Sequence, residues 1–124
     1  MVLVAGTAGC GQLSGREDAA SAVVNRFEQD AARGDGAAMC AALAPGTREE
    51  LEDQEESDCE QAVTGLGLPD GGTLRRVDVF GQQARAVLQG DTVFLSAFPG
   101  GWKVTAAGCE PRPGMPYRCD LKGD

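Results

Sequence analysis

The side chains able to do chemistry in this chain are few and scattered: Asp78, Arg85, Asp91, Trp102, Tyr117 and Arg118, together with five cysteines at positions 10, 40, 59, 109 and 119. An Asp and an Arg converging in a cleft can activate water or polarise a carbonyl, provided burial lifts the carboxyl toward neutrality. That chemistry would be a small hydrolase or isomerase built on Asp91 or Asp78 with Arg85 or Tyr117. Simpler roles compete with it. Asp91 follows Gly90 as a hairpin-turn residue, Trp102 follows Gly101 as a core anchor, and Arg85 fits a solvated strand position. The sequence holds no histidine, which removes Ser-His-Asp and Cys-His catalysis and the commonest zinc ligand. No catalytic residue, metal or cofactor is therefore assigned. A pocket for a small apolar ligand is favoured, drawing on Phe80, Phe94, Phe98, Trp102 and Met115 and centred on Phe94, Phe98, Trp102, Tyr117, Arg85 and Asp91. The five apolar side chains of that set cannot all share one face.

The cysteines divide unevenly. Cys10 follows the small residues Ala8 and Gly9 and the short apolar run MVLVAGTAG, and precedes the polar stretch GQLSGRED. Small side chains before a cysteine suit the cleft of a lipoprotein signal peptidase, and the thiol is then the attachment point for a diacylglyceryl group. Thr7 stands where Leu is usual, and nine residues are few for a complete signal with a basic start and an apolar core. Residues 1–9 thus read as the remnant of a signal peptide and 10–17 as a flexible tether. Setting Cys10 aside leaves four cysteines, an even number for disulfides. Of three connectivities the local one, Cys40–Cys59 and Cys109–Cys119, fits best, because each pair lies in one half of the chain. None of the spacings is C-x-x-C, and four thiolates so spaced do not resemble a zinc ribbon. Disulfides place the chain in an oxidising compartment, and acyl chains contribute about 0.8 kcal/mol per buried methylene. A membrane, reached through this anchor on the extracytoplasmic face, is the expected partner.

The elements that must position these groups fall into two halves. From Asp18 to Arg33, Ala20, Val23, Val24, Phe27 and Ala31 recur at three- and four-residue intervals, which predicts a helix capped by Ser14 with Glu17 and ended by Gly34. A second helix is expected from Asp35 to about Leu43, and Thr47 with Glu50 and Ser57 with Glu60 mark further helical pieces up to Val63. After the turn-rich GLGLPDGG, short β runs are predicted at Thr73–Phe80, Gln83–Gln89, Thr92–Phe98 and Trp102–Cys109, joined by connections short enough only for antiparallel neighbours. The expectation is an α+β fold: N-terminal helices packed on a curved four-stranded antiparallel meander, one domain over residues 18–124, with the proline-rich tail pinned by Cys109–Cys119.

With 124 residues the chain has room for one core. Its net charge of −8 has no basic cluster to displace counterions from a phosphate backbone, so nucleic acid is not an expected partner. Eight acids and one Arg between Thr47 and Glu60 carry most of that charge. They lack the alternating acids and glycine turn of a calcium loop and read as a solvated helical surface.

The segments CAALAPGTREELE, GDTVFL, GWKVTAAGC and PYRC, spread from about Asp18 to Leu121, resemble a group of small, mostly uncharacterised actinobacterial lipoproteins. The resemblance implies a domain similar to the nuclear-transport-factor-2-like, cystatin-like cone. That superfamily includes isomerases and epoxide hydrolases as well as domains without activity, and none of its catalytic sets matches here. The functional expectation is a lipid-anchored extracytoplasmic domain, non-catalytic, binding a small apolar ligand or a cell-envelope protein.

Overall fold

A computed structural model describes residues 8–123, with side chains from Ser14 onward. The expected signal remnant up to residue 7 and the Cys10 side chain lie outside the described residues. Four helices, α1 (Ala8–Ala32), α2 (Gly36–Ala42), α3 (Pro45–Glu55) and α4 (Cys59–Gly65), precede five strands: β1 (Leu74–Phe80), β2 (Gln83–Leu88), β3 (Thr92–Phe98), β4 (Gly101–Arg112) and β5 (Met115–Lys122). The strands form one open antiparallel sheet in the order β1-β2-β3-β4-β5. The α+β order is as the sequence predicts, but the sheet has five strands, not four. The tail expected as a pinned extension is a full strand.

Helix α1 starts before the expected Ser14 cap, so residues 10–17, read as a tether, are helical. Its predicted apolar stripe is the buried one: Ala20, Val24 and Phe27 are enclosed, and Val23 and Ala31 pack at the margin. The sheet answers with Ala84, Ala86 and Leu88 of β2, Val93 and Leu95 of β3, and Trp102, Val104 and Ala107 of β4. Alternation gives each strand one face for this core. Asp35 caps α2, its carboxylate accepting from the Ala38 N–H at 3.1 Å, and Asp58, rather than the expected Ser57, caps α4 by accepting from the Gln61 N–H. Thr47 is not a cap. Helix α3 starts at Pro45, a favoured residue for the first turn, and the buried Thr47 hydroxyl donates to the Thr105 carbonyl at 3.1 Å.

Both disulfides pair locally. Cys40–Cys59 ties α2 to the start of α4, with Cα atoms 6.1 Å apart. Cys109–Cys119 joins residues that face each other across β4 and β5. They account for four of the five cysteines, leaving Cys10 outside them.

Candidate functional site

The six residues expected in one pocket are divided between the two faces of the sheet. Phe94 pairs with Arg85, and Arg85 with Asp78. All three lie on the face opposite the helices. The Arg85 guanidinium donates to Asp78 at 2.9 Å, and Arg76 approaches the same oxygen at 3.3 Å. Arg85 holds the Asp78 carboxyl below the ordinary carboxylate range, with a smaller contribution from Arg76. An acid held so is a weak proton acceptor at neutral pH. The Tyr117 ring packs edge-on against Phe94, centroids 5.0 Å apart, and its hydroxyl reinforces the charge on Arg85 after Asp78.

That contact shows how the sheet bends. Tyr117 precedes Arg118, the partner of Glu110, whereas Phe94 pairs with Ala106. In a flat sheet the two would be separated by about 16 Å along the strands alone, at about 3.3 Å per residue. The outer part of the β4–β5 hairpin must therefore fold back over the sheet. Gly108, at φ +65°, is where β4 takes a conformation that favours glycine.

Asp91 fixes this bend. Its carboxylate accepts from the Thr92 N–H at 2.7 Å, Gly108 N–H at 3.0 Å and Cys109 N–H at 2.9 Å. Burial raises its pKa, and these three donors oppose the rise. Asp91 is thus more than a turn residue: it pins β4 beside the bend. Its oxygens are committed to backbone, away from Arg85, so the expected Asp91–Arg85 convergence does not form. Phe98 closes β3 opposite Gly101 on the outer face, at the end away from Asp91.

Trp102 points the other way, into a groove between α1, α2 and the β3–β4 turn. The groove holds about 360 Å³, within the size range of small-molecule sites. Its apolar wall is Val23 and Phe27 of α1, Ala38, Ala41 and Ala42 of α2, and Trp102. Polar groups stand around it: Arg26, Asp30 and Lys103. The enclosed Asp30 carboxylate is paired with Arg33. Lys103 donates to the Ala41 carbonyl at 2.9 Å, and the Arg16 guanidinium lies 5.3 Å from the Trp102 ring centroid while donating to the Gly81 carbonyl. Of the expected pocket residues, Trp102 alone lines this groove. The alanines of α2 were the available signal, since a helix of small side chains beside Phe27 and Trp102 leaves space unfilled. Arg26 and Lys103 sit in no recognisable spacing.

A second unannounced group is Glu28, half-buried under the loop before β1. Its carboxylate accepts from the Gly71 N–H at 3.4 Å. Desolvation pushes its pKa to about 7, with the neighbouring Asp91 and Asp70 adding to the rise and the Gly71 N–H opposing it. It borders a cleft with Ala31, Leu68, Pro69 and Asp70. A mid-helix acid beside Phe27 carries no sequence signal of burial, because the covering loop is distant in the chain.

Among the described residues no group of three or more His, Cys, Asp or Glu could hold a metal ion, and no helix is long and apolar enough to cross a membrane. No family model matches the chain, and no curated protein or solved structure is significantly similar to it.

Proposed function

We propose that this chain is a lipid-anchored extracytoplasmic domain that binds, without transforming, a small amphiphile: an apolar body seated on Phe27, Trp102 and the α2 alanines, with an anionic end at Arg26 and Lys103. The observation that carries this reading is the Trp102 groove, apolar within and bordered by the cations Arg26 and Lys103 and by Asp30, whose charge is already paired with Arg33. The anchor rests on the Ala8-Gly9-Cys10 sequence and on the other four cysteines being joined in pairs. Two disulfides fit an oxidising compartment. The likeness to small lipoproteins with a cystatin-like cone belongs to the same proposal, and a bent sheet with α1 against β1, β2 and β4 supports it.

Trp102 is the sole tryptophan, which makes the groove self-reporting. Dodecanoate titrated into the protein should shift its emission saturably. Ala38→Phe, which fills the groove, should abolish the response, and Arg26→Gln should weaken binding about tenfold, as loss of one charge-assisted contact does. A saturable shift that survives Ala38→Phe would place the ligand elsewhere and end the reading. For the anchor, mass spectrometry and membrane fractionation of the native protein are compared with Cys10→Ala. Unchanged mass and fractionation would refute it.

A further inference from the structure

We infer that the end of the sheet carrying the β1–β2 and β3–β4 turns rests against a phospholipid surface, with Phe80 and Phe98 entering the headgroup region. Phe80 is the last residue of β1 and is 53% exposed, a large apolar side chain left in water at a hairpin tip. Phe98 is the last residue of β3 and partly buried, its ring reaching solvent only in part. The registers Phe80↔Gln83 and Gln83↔Ser96 put both phenylalanines on the outer face at the same end of the sheet, two strand spacings across and two residues along, about 12 Å apart. The Pro99-Gly100-Gly101 turn beside Phe98 adds no charge.

The same end is where α1 leaves the domain. Arg16 donates to Gly81 in the β1–β2 turn, whereas Glu28, further along the helix, meets Gly71 at the opposite end of β1. Continued backward from Arg16, the helix carries the Cys10 backbone about 9 Å further along its axis than that of Arg16, at 1.5 Å per residue. An acyl group on Cys10 would hold these two aromatic tips within a side chain's reach of the bilayer. The net charge of −8 offers no general attraction to anionic lipid, so the contact is apolar and neutral phosphatidylcholine suffices. Two rings alone bind weakly, and a tether makes such a contact effective by raising its local concentration. The inference rests on the anchored reading above and adds the orientation of the domain.

The test supplies the anchor chemically, so that it does not depend on whether cells acylate Cys10. The full chain carrying Trp102→Phe is given one tryptophan at the tip, by Phe80→Trp or Phe98→Trp, or at the far β2–β3 turn, by Gln89→Trp. Each protein is coupled through Cys10 to a maleimide-headgroup lipid in phosphatidylcholine vesicles with or without brominated acyl chains. Emission should fall about twofold with brominated lipid at positions 80 and 98 and stay unchanged at 89, as headgroup-depth burial predicts. No quenching at 80 and 98, or equal quenching at all three, would overturn the inference while leaving the Cys10 mass measurement to stand by itself. Sedimentation of the uncoupled chain tests the other occupant: a dimer dispersed by Phe80→Ser, without quenching in vesicles, would assign the tip to a second copy and overturn it equally.

Discussion

At the scale of single residues, two carboxylates show how burial and hydrogen bonding decide what an acid does. Asp91 has a half-buried carboxylate whose acceptors are used by three backbone N–H groups. Removing it orphans those donors, and leaving buried donors unpaired costs about 1–3 kcal/mol. Asp91→Ala should therefore lower the urea midpoint by that order, and Asp91→Asn, which keeps one carbonyl acceptor, by less. Equal losses for both would mean that charge, not acceptance, is what Asp91 supplies. Glu28 has a single backbone donor, Gly71 N–H, to set against the same desolvation. Its folded pKa of about 7 lies above the ordinary 4.5, so the folded protein holds a proton that the unfolded chain releases. Whatever stability this provides is full below pH 4.5 and is lost as pH rises through 7. Discounted for its partial exposure to solvent, the effect is about 1 kcal/mol, or about 4 °C in Tm. Glu28→Gln should melt higher than the parent at about pH 8 and no differently at about pH 4. A constant difference across that range would remove Glu28 as the titrating group.

At the scale of elements, the β4–β5 hairpin holds the clearest stability test. Gly108 takes φ +65°, and a Cβ there would lie 2.9 Å from the Asp120 carboxylate and 3.1 Å from Leu68. Gly108→Ala should cost about 1–2 kcal/mol from the left-handed backbone alone, read as a lower thermal midpoint. The paired replacement Cys109→Ala with Cys119→Ala should instead speed amide exchange in β5 while leaving β2 and β3 protected. Uniform loss of protection would show that the hairpin is part of the global unfolding unit. This hairpin is also where sequence legibility stopped. Met115, Tyr117, Cys119 and Leu121 alternate as a strand should, but Pro111, Pro113 and Pro116 disguise the pattern. Pro116 is tolerated because β5 is an edge strand, where a missing donor need not break a ladder, Pro113 lies in the β4–β5 turn, and Pro111 lies in β4 past its pairing with β3. The helices were legible where apolar spacing was strong, as along Val24 and Phe27, and α2 follows Asp35 as expected, whereas α1, α3 and α4 start elsewhere than their capping spacing placed them. Helix α3 starts at Pro45 with no side-chain cap where Thr47 was expected to supply one, and Asp58 took the role that capping spacing gave to Ser57. The site was harder to read because bending carries Tyr117 onto Phe94 and directs Trp102 to the opposite face, and neither follows from periodicity.

At the scale of the whole molecule, the cross-links carry a large share of the stability. The helices are short apart from α1, and six alanines, which bury little area each, stand among the core residues. Cys40–Cys59 spans 19 residues and joins two seven-residue helices that could not persist alone. Cys109–Cys119 spans 10 residues inside a hairpin already held by its ladder and by Asp91. Cross-links of this loop size contribute about 2–4 kcal/mol each, a large share of the roughly 5–15 kcal/mol that stabilises a domain. The first bond encloses the longer segment and has less competing structure, so its loss should cost more. Cys40→Ala with Cys59→Ala is expected to lower Tm by about 12 °C, taking 3 kcal/mol at about 4 °C per kcal/mol, and the Cys109–Cys119 pair by less. The same chain made in a reducing compartment should melt below both double variants and recover on oxidation, with peptide mapping returning the two local bonds. If reduced and oxidised protein melted together, the stability would have to come from the helix–sheet core unaided, and the cross-links would cease to argue for life outside the cytoplasm.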